Sequence, residues 1–187
     1  GKLCVFTNTG KMHQIKVLDI PAGKFRDKGV PIDNLCNYDS AKEYIIQVLD
    51  VQTMIHSTLL FATAKSMLKV MDGDLLNASK RTVQATKLSE DELVAVIVAD
   101  WSEESEDKVV LQTKDGVFLK FPYAEIPKKK KSALGVRGMK LSKDDLITNV
   151  YVMDAQNISS IMYKEKELEF NRLKLSKRDT KGTKVRR

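Results

Sequence analysis

The side chains that could carry catalysis are few in this sequence, and their spacing does not suit it. His13 and His56 have no second ligand at metal-binding spacing, and Asp72-Gly73-Asp74 reads as a turn rather than a calcium loop. No Gly-x-x-x-x-Gly-Lys-Ser/Thr phosphate loop occurs. Cys4 and Cys36 are too few for a disulfide framework and too far apart for a paired-cysteine zinc site, which points to a reducing cytoplasm. What remains is cationic chemistry. The chain has 32 lysines and arginines against 25 aspartates and glutamates, a formal charge of +7 with pI near 9.3. That balance fits a polyanionic partner, but charge alone does not separate DNA from RNA, acidic protein or lipid headgroups.

The cations recur by position. Four loops carry them: Lys24, Arg26 and Lys28; then Lys80 and Arg81; then Lys128, Lys129, Lys130 and Lys131 followed by Arg137; then Lys174, Lys177, Arg178, Lys181 and Lys184. Lys11, Lys16, Lys69 and Lys120 add charge from the hairpins between these loops. A single lysine run is ordinary solvated surface; recurrence in four loops predicts a shared rim. Acidic residues collect elsewhere, in the connector Asp100-Trp101-Ser102-Glu103-Glu104-Ser105-Glu106-Asp107. Phosphate contacts position a duplex without reading its bases, so a basic rim predicts DNA bending without sequence readout.

These loops are placed by a repeat. Thr7, Thr63 and Thr113 stand 56 and then 50 positions apart, each followed three residues later by Gly10, Ser66 or Gly116. Each threonine sits in a strand-turn-strand pattern, and Lys114-Asp115-Gly116 is a favourable hairpin turn because glycine accepts positive φ. Asp19-Ile20-Pro21 and Glu125-Ile126-Pro127 follow, with Leu75-Leu76-Asn77 in the middle unit, and the proline is expected to end the hairpin. A further β-branched strand comes at Tyr44–Leu49, Leu93–Val98 and Leu146–Tyr151. Ser89-Glu90-Asp91-Glu92 has the form of a helix capping box, but the period-two valines Val94, Val96 and Val98 predict a strand there. Met12, Met67, Leu68 and Phe118 are read as core, and Trp101 as a packing residue.

With the segments Gly29–Ile32, Thr82–Leu88 and Gly135–Leu141 that follow each basic loop, the count is four strands per unit, which predicts an all-β, propeller-like array of about four blades, three clear and one incomplete, at residues 1–56, 57–107, 108–156 and 157–187. Hydrophobic residues at 42% and charged residues at 30% argue against disorder. No apolar run approaches the roughly 18 residues of a membrane helix.

Thr-Asn-Thr-Gly-Lys (7–11), Lys-Gly-Val-Pro-Ile-Asp-Asn-Leu (28–35), Glu-Ile-Pro (125–127) and Gly-Val-Arg-Gly-Met-Lys-Leu (135–141) resemble the blades of the C-terminal domain of the DNA gyrase A subunit. The resemblance implies a β-pinwheel, in which neighbouring blades exchange a strand and a basic perimeter bends or wraps duplex DNA. It further implies a bacterial cytoplasmic setting, ATP and magnesium acting elsewhere in the holoenzyme, and, as partners, the ATPase B subunit with the rest of the A subunit. The family's cleavage tyrosine directly follows an arginine, and none of Tyr38, Tyr44, Tyr123, Tyr151 or Tyr163 does. A glutamine-arginine-arginine-glycine-glycine box is missing; Lys131-Ser132-Ala133-Leu134-Gly135 fills an analogous loop. This leaves two expectations: truncation upstream of Gly1, or the A subunit of the paralogous topoisomerase IV. A basic module docking an acidic protein and an RNA-binding β domain are the competing classes. Aromatics at 6% count against single-strand stacking.

Overall fold

A computed structural model of the chain describes residues 1–19 and 38–187. The first strands are β1 (Lys2–Thr7), β2 (Lys11–Lys16), β3 (Ile45–Asp50), β4 (Thr58–Thr63), β5 (Met67–Asp72), β6 (Thr82–Gln84) and β7 (Leu93–Val98). They are followed by β8 (Lys108–Thr113), β9 (Val117–Pro122), β10 (Val136–Arg137), β11 (Ile147–Val152), β12 (Ser160–Tyr163), β13 (Lys166–Glu169) and β14 (Thr183–Lys184). A single turn of helix, α1 (Val51–Ile55), follows β3.

The recurring threonine closes each hairpin. The amides of Gly10, Ser66 and Gly116 donate to the carbonyls of Thr7, Thr63 and Thr113 at 3.0, 3.0 and 3.1 Å. All three donors have positive φ, at 80°, 70° and 82°. Glycine adopts this region without a Cβ penalty; Ser66 does so as a serine. The buried hydroxyls of Thr63 and Thr113 also accept from the amides of Met67 and Val117, at 3.0 and 3.1 Å. β3, β7 and β11 then pair with the first strand of each hairpin, and each ladder slips register beside the threonine.

The capping-box signal yields to the strand. Leu93–Val98 is β7, and Asp91 Oδ1 is used by the neighbouring turn, where it accepts from the amides of Lys65 and Glu92 at 3.0 and 2.8 Å. The helix turn lies at α1 instead, where the Asp50 carboxylate caps the amides of Gln52 and Thr53. Pro127 does not end its hairpin, and Pro21 lies outside the described residues. A 3-10 turn leaves the sheet at Gly73–Leu76, where there is no proline, just as it does at Tyr123–Glu125, ahead of Pro127.

Strands are exchanged between repeats. β6 pairs with β2, β10 with β5 and β14 with β9, so each complete sheet takes its outer strand from the following repeat. The orders are β3-β1-β2-β6, β10-β5-β4-β7 and β11-β8-β9-β14, with β12-β13 a two-stranded remainder. Gly135 shows what docking the exchanged segment requires: at φ 97° its backbone lies so close that a Cβ would stand 2.3 Å from the Leu68 carbonyl oxygen.

The apolar residues pack between sheets. Phe6 meets Phe61 edge-on at 6.0 Å across the first seam. Leu60, Val70, Leu111, Phe121 and Tyr123 fill the second, and Val110, Phe118, Leu168 and Phe170 the thinner third. Complete burial of a phenylalanine such as Phe6 contributes about 2–3 kcal/mol, so the seams hold the blades in series.

Candidate nucleic-acid interface

The exchanged strands bring the cations into register. Val83, Val136 and Thr183 pair with Met12, Leu68 and Phe118, the residues five positions after the recurring threonines. Gln84, Arg137 and Lys184 are therefore equivalent, and so, three positions later, are Lys87, Lys140 and Arg187. All six are exposed. Backbone hydrogen bonds join one rim segment to the next: Lys87 N–H donates to the Lys131 carbonyl at 3.0 Å, and Lys140 N–H to the Thr180 carbonyl at 2.8 Å.

The preceding loops run along the second strand of the hairpin before them. The amide of Gln14 donates to the Arg81 carbonyl at 2.7 Å, Lys129 N–H to the Val70 carbonyl at 2.7 Å, and Ser176 N–H to the Lys120 carbonyl at 2.8 Å. Gln14, Val70 and Lys120 are equivalent positions of the repeat. The loops carrying Lys128 to Lys131 and Lys174 to Lys184 thus dock in the same way on successive sheets, whereas Arg81 accepts from Gln14 where the antiparallel β2–β6 pairing ends.

Lys11, Lys16, Lys80, Arg81, Lys129, Lys130, Lys131, Lys174, Lys177, Lys181 and Lys184 are exposed, and none has an ion-pair partner among the described residues. Three further candidates are engaged within the protein. Lys128 Nζ is 3.0 Å from Asp72 Oδ1 and 5.7 Å from the centre of the Trp101 ring. Arg137 pairs with Asp179, which raises the guanidinium pKa and lowers that of the carboxyl. Arg178 donates from its side chain to the carbonyls of Glu125 and Arg137, at 2.9 and 2.8 Å. Lys24, Arg26 and Lys28 lie outside the described residues.

Lys69 and Lys120 are corrections. At 1% and 6% exposure they belong to the interior. Lys69 Nζ donates to the carbonyls of Lys130, Lys131 and Ala133, and Lys120 Nζ to that of Phe170. Neither faces a passing phosphate. Lys87, Lys140 and Arg187 were missed in turn, and counting three residues on from the exchanged-strand position finds them. The acidic connector is exposed at Glu103, Glu104 and Glu106, whereas Asp107 is buried and binds the amides of Lys108, Asp154 and Ala155.

The remaining polar groups serve structure. His13 is fully buried between Glu43 and Thr82, at 3.0 and 2.8 Å. Burial pushes the Glu43 carboxyl up, but hydrogen bonds from the Asp39 amide, Thr7, His13 and Thr9 outweigh it and hold the pKa at about 2. Burial raises the Cys4 thiol to about 11, which leaves it unreactive. Among the described residues no group of three or more His, Cys, Asp or Glu side chains could hold a metal ion, and no helix is long and apolar enough to cross a membrane. The arrangement can therefore bind polyanions through its rim.

Comparison with known proteins agrees with the architecture. The model of the DNA gyrase C-terminal domain, beta-propeller, matches residues 1–48, 57–100 and 107–152. The DNA gyrase A subunit of Chlamydia pneumoniae is 32% identical over 148 residues, which is 76% of this chain but 17% of that protein. The chain thus spans about a fifth of the curated relatives it matches. The crystal structure of the C-terminal domain of DNA topoisomerase IV superposes with a TM-score of 0.82 at 23% identity, over 98% of this chain and 58% of that one. A DNA gyrase A C-terminal domain superposes at 0.71 with 20% identity, over 97% and 59%. With the family model matching most of its length, repeat by repeat, the chain belongs to the DNA gyrase C-terminal domain, beta-propeller family.

Proposed function

We propose that this chain is a non-catalytic module that binds, bends and wraps duplex DNA, and that it forms part of the A subunit of a bacterial type IIA topoisomerase. In this reading it presents a DNA segment to the cleavage core, while ATP and magnesium act elsewhere in a cytoplasmic holoenzyme that includes the ATPase B subunit. One observation carries the proposal: exposed cations recur at equivalent positions just beyond the exchanged strands, at Lys87, Lys140 and Arg187, and in the loops that run along the second strands of the hairpins. A basic surface that repeats from sheet to sheet suits a phosphate backbone bent to follow it, with no need for base contacts.

The test is fluorescence anisotropy and DNA bending with duplexes of increasing length at several salt concentrations. Neutralising on the order of 6–10 phosphates makes affinity fall about 10³–10⁵-fold between 50 and 200 mM salt. Affinity is expected to rise with duplex length, and the DNA to bend. Length-independent binding, or equal capture of polyglutamate, would replace wrapping with docking of an acidic partner.

A further inference from the structure

The lysine loop 128–133 owes its shape to a lysine that is not part of it. Lys69 Nζ, on β5, lies 2.8, 3.1 and 2.8 Å from the carbonyl oxygens of Lys130, Lys131 and Ala133. Three carbonyls turned inward onto one ammonium leave the side chains of Lys129, Lys130 and Lys131 on the outside, where they are exposed. The other sheets solve a related problem from the next position of the strand. Gln14 Nε2 donates to the carbonyls of Ala78 and Lys80 at 2.8 and 2.6 Å, and Lys120 Nζ to that of Phe170 at 2.8 Å.

Lys69 differs in holding three carbonyls, and like Lys120 it has no ion-pair partner among the described residues. The Phe61 ring lies 5.9 Å away on β4. The titratable groups on the elements packed around it are Lys128 to Lys131 of the loop, Lys87, whose amide meets Lys131, Arg137 on β10, and Asp72 on β5 itself, which Lys128 occupies. No carboxylate is within ion-pair distance of Lys69 among the described residues. Burial of an uncompensated ammonium disfavours its charged form, and it brings the Lys69 pKa down to about 8.

Resting on the DNA-binding reading above, we infer that Lys69 is the positioning residue of this rim station, its buried ammonium holding the carbonyls of Lys130, Lys131 and Ala133 inward so that Lys129 to Lys131 face the phosphate backbone.

The experiment compares the 187-residue chain with Lys69→Met, which has a similar length but no donor, and Lys69→Gln, which has a neutral donor like that of Gln14. Hydrogen exchange at the amides of Lys130 to Ala133, read without DNA, is expected to quicken at least tenfold in Lys69→Met and less in Lys69→Gln. Duplex affinity is expected to fall about tenfold in Lys69→Met, with partial rescue in Lys69→Gln. Because Lys69→Gln keeps a donor, its comparison with the unmodified chain stands even if Lys69→Met fails to fold. Unchanged exchange in a folded Lys69→Met or Lys69→Gln overturns the inference. If no variant binds duplex yet exchange responds as stated, the DNA reading fails and the positioning role stands.

Discussion

Replacing Lys129, Lys130 and Lys131 together by alanine tests whether the exposed rim works by neutralising phosphate. Each phosphate neutralised on duplex DNA releases about 0.9 counterion, so each lysine in contact adds about 0.9 to the slope of log affinity against log salt. At 0.1 M salt this is about 0.9 decade, or roughly eightfold, per lysine. Full engagement of all three predicts a slope shallower by about 2.7 and affinity lower by about 500-fold. Partial engagement scales both numbers together, so the loss in decades at 0.1 M must match the change in slope. All three side chains are exposed and without ion-pair partners among the described residues, so stability should shift by no more than about 0.5 kcal/mol. Anisotropy titrations from 50 to 200 mM salt, with circular dichroism as the check on folding, read both quantities. Lys128→Ala is the internal control, since Asp72 at 3.0 Å and the Trp101 ring already hold that ammonium; its slope change should be well below 0.9. A large loss of affinity with unchanged slope would refute counterion release as the basis of binding.

Two further outcomes follow from the interior. Gly135→Ala puts a side chain at φ 97° and a Cβ 2.3 Å from the Leu68 carbonyl oxygen, so β10 should lose its docking at a cost of at least about 1–3 kcal/mol, seen as a lower thermal midpoint. Glu43 has its folded pKa depressed from 4.5 to about 2, so it adds stability at neutral pH that is lost as pH falls from about 4.5 through 2. Glu43→Gln should be less stable at pH 7 and show a shallower decline over that acid range; an identical acid profile in urea titrations would contradict the assignment.

The hairpins were legible because their signal is local. A threonine three residues before Gly10, Ser66 or Gly116 encodes a turn that closes on itself, and the β-branched strands after it carry their own pattern. Strand exchange left no such mark. Val136 and Arg137 form too short a strand to show periodicity, and only tertiary pairing with Leu68 and Met67 assigns them to the previous repeat; family resemblance supplied that expectation. The lysines divide on the same principle. Lys11 and Lys16 stand at strand ends and are exposed, but Lys69 and Lys120 lie inside the runs Met-Leu-Lys-Val-Met and Phe-Leu-Lys-Phe. Both faces of those strands are covered by neighbouring sheets, so alternation vanishes and a buried lysine looks like a surface one. An isolated cation within an uninterrupted apolar run was the available signal.

Charge at the rim is also held back by the protein. Arg137 occupies the exchanged-strand position equivalent to Gln84 and Lys184, yet its Nε and Nη2 both donate to the carboxylate of Asp179 in the next repeat. Both side chains are substantially exposed, at 54% and 37%, and such solvent-screened pairs contribute little to stability. A phosphate would therefore compete with Asp179 for the same fork, which suits bidentate recognition of either anion. Asp179→Asn removes the competitor and one negative charge from the rim while keeping a side chain of the same shape. Duplex affinity should rise, with a salt slope steeper by up to about 0.9, and the thermal midpoint should barely move. If affinity fell instead, Asp179 would be aiming Arg137 at the backbone rather than masking it. The ion pair between repeats would then be part of the binding surface, because a guanidinium freed of its partner had lost more in orientation than it gained in availability.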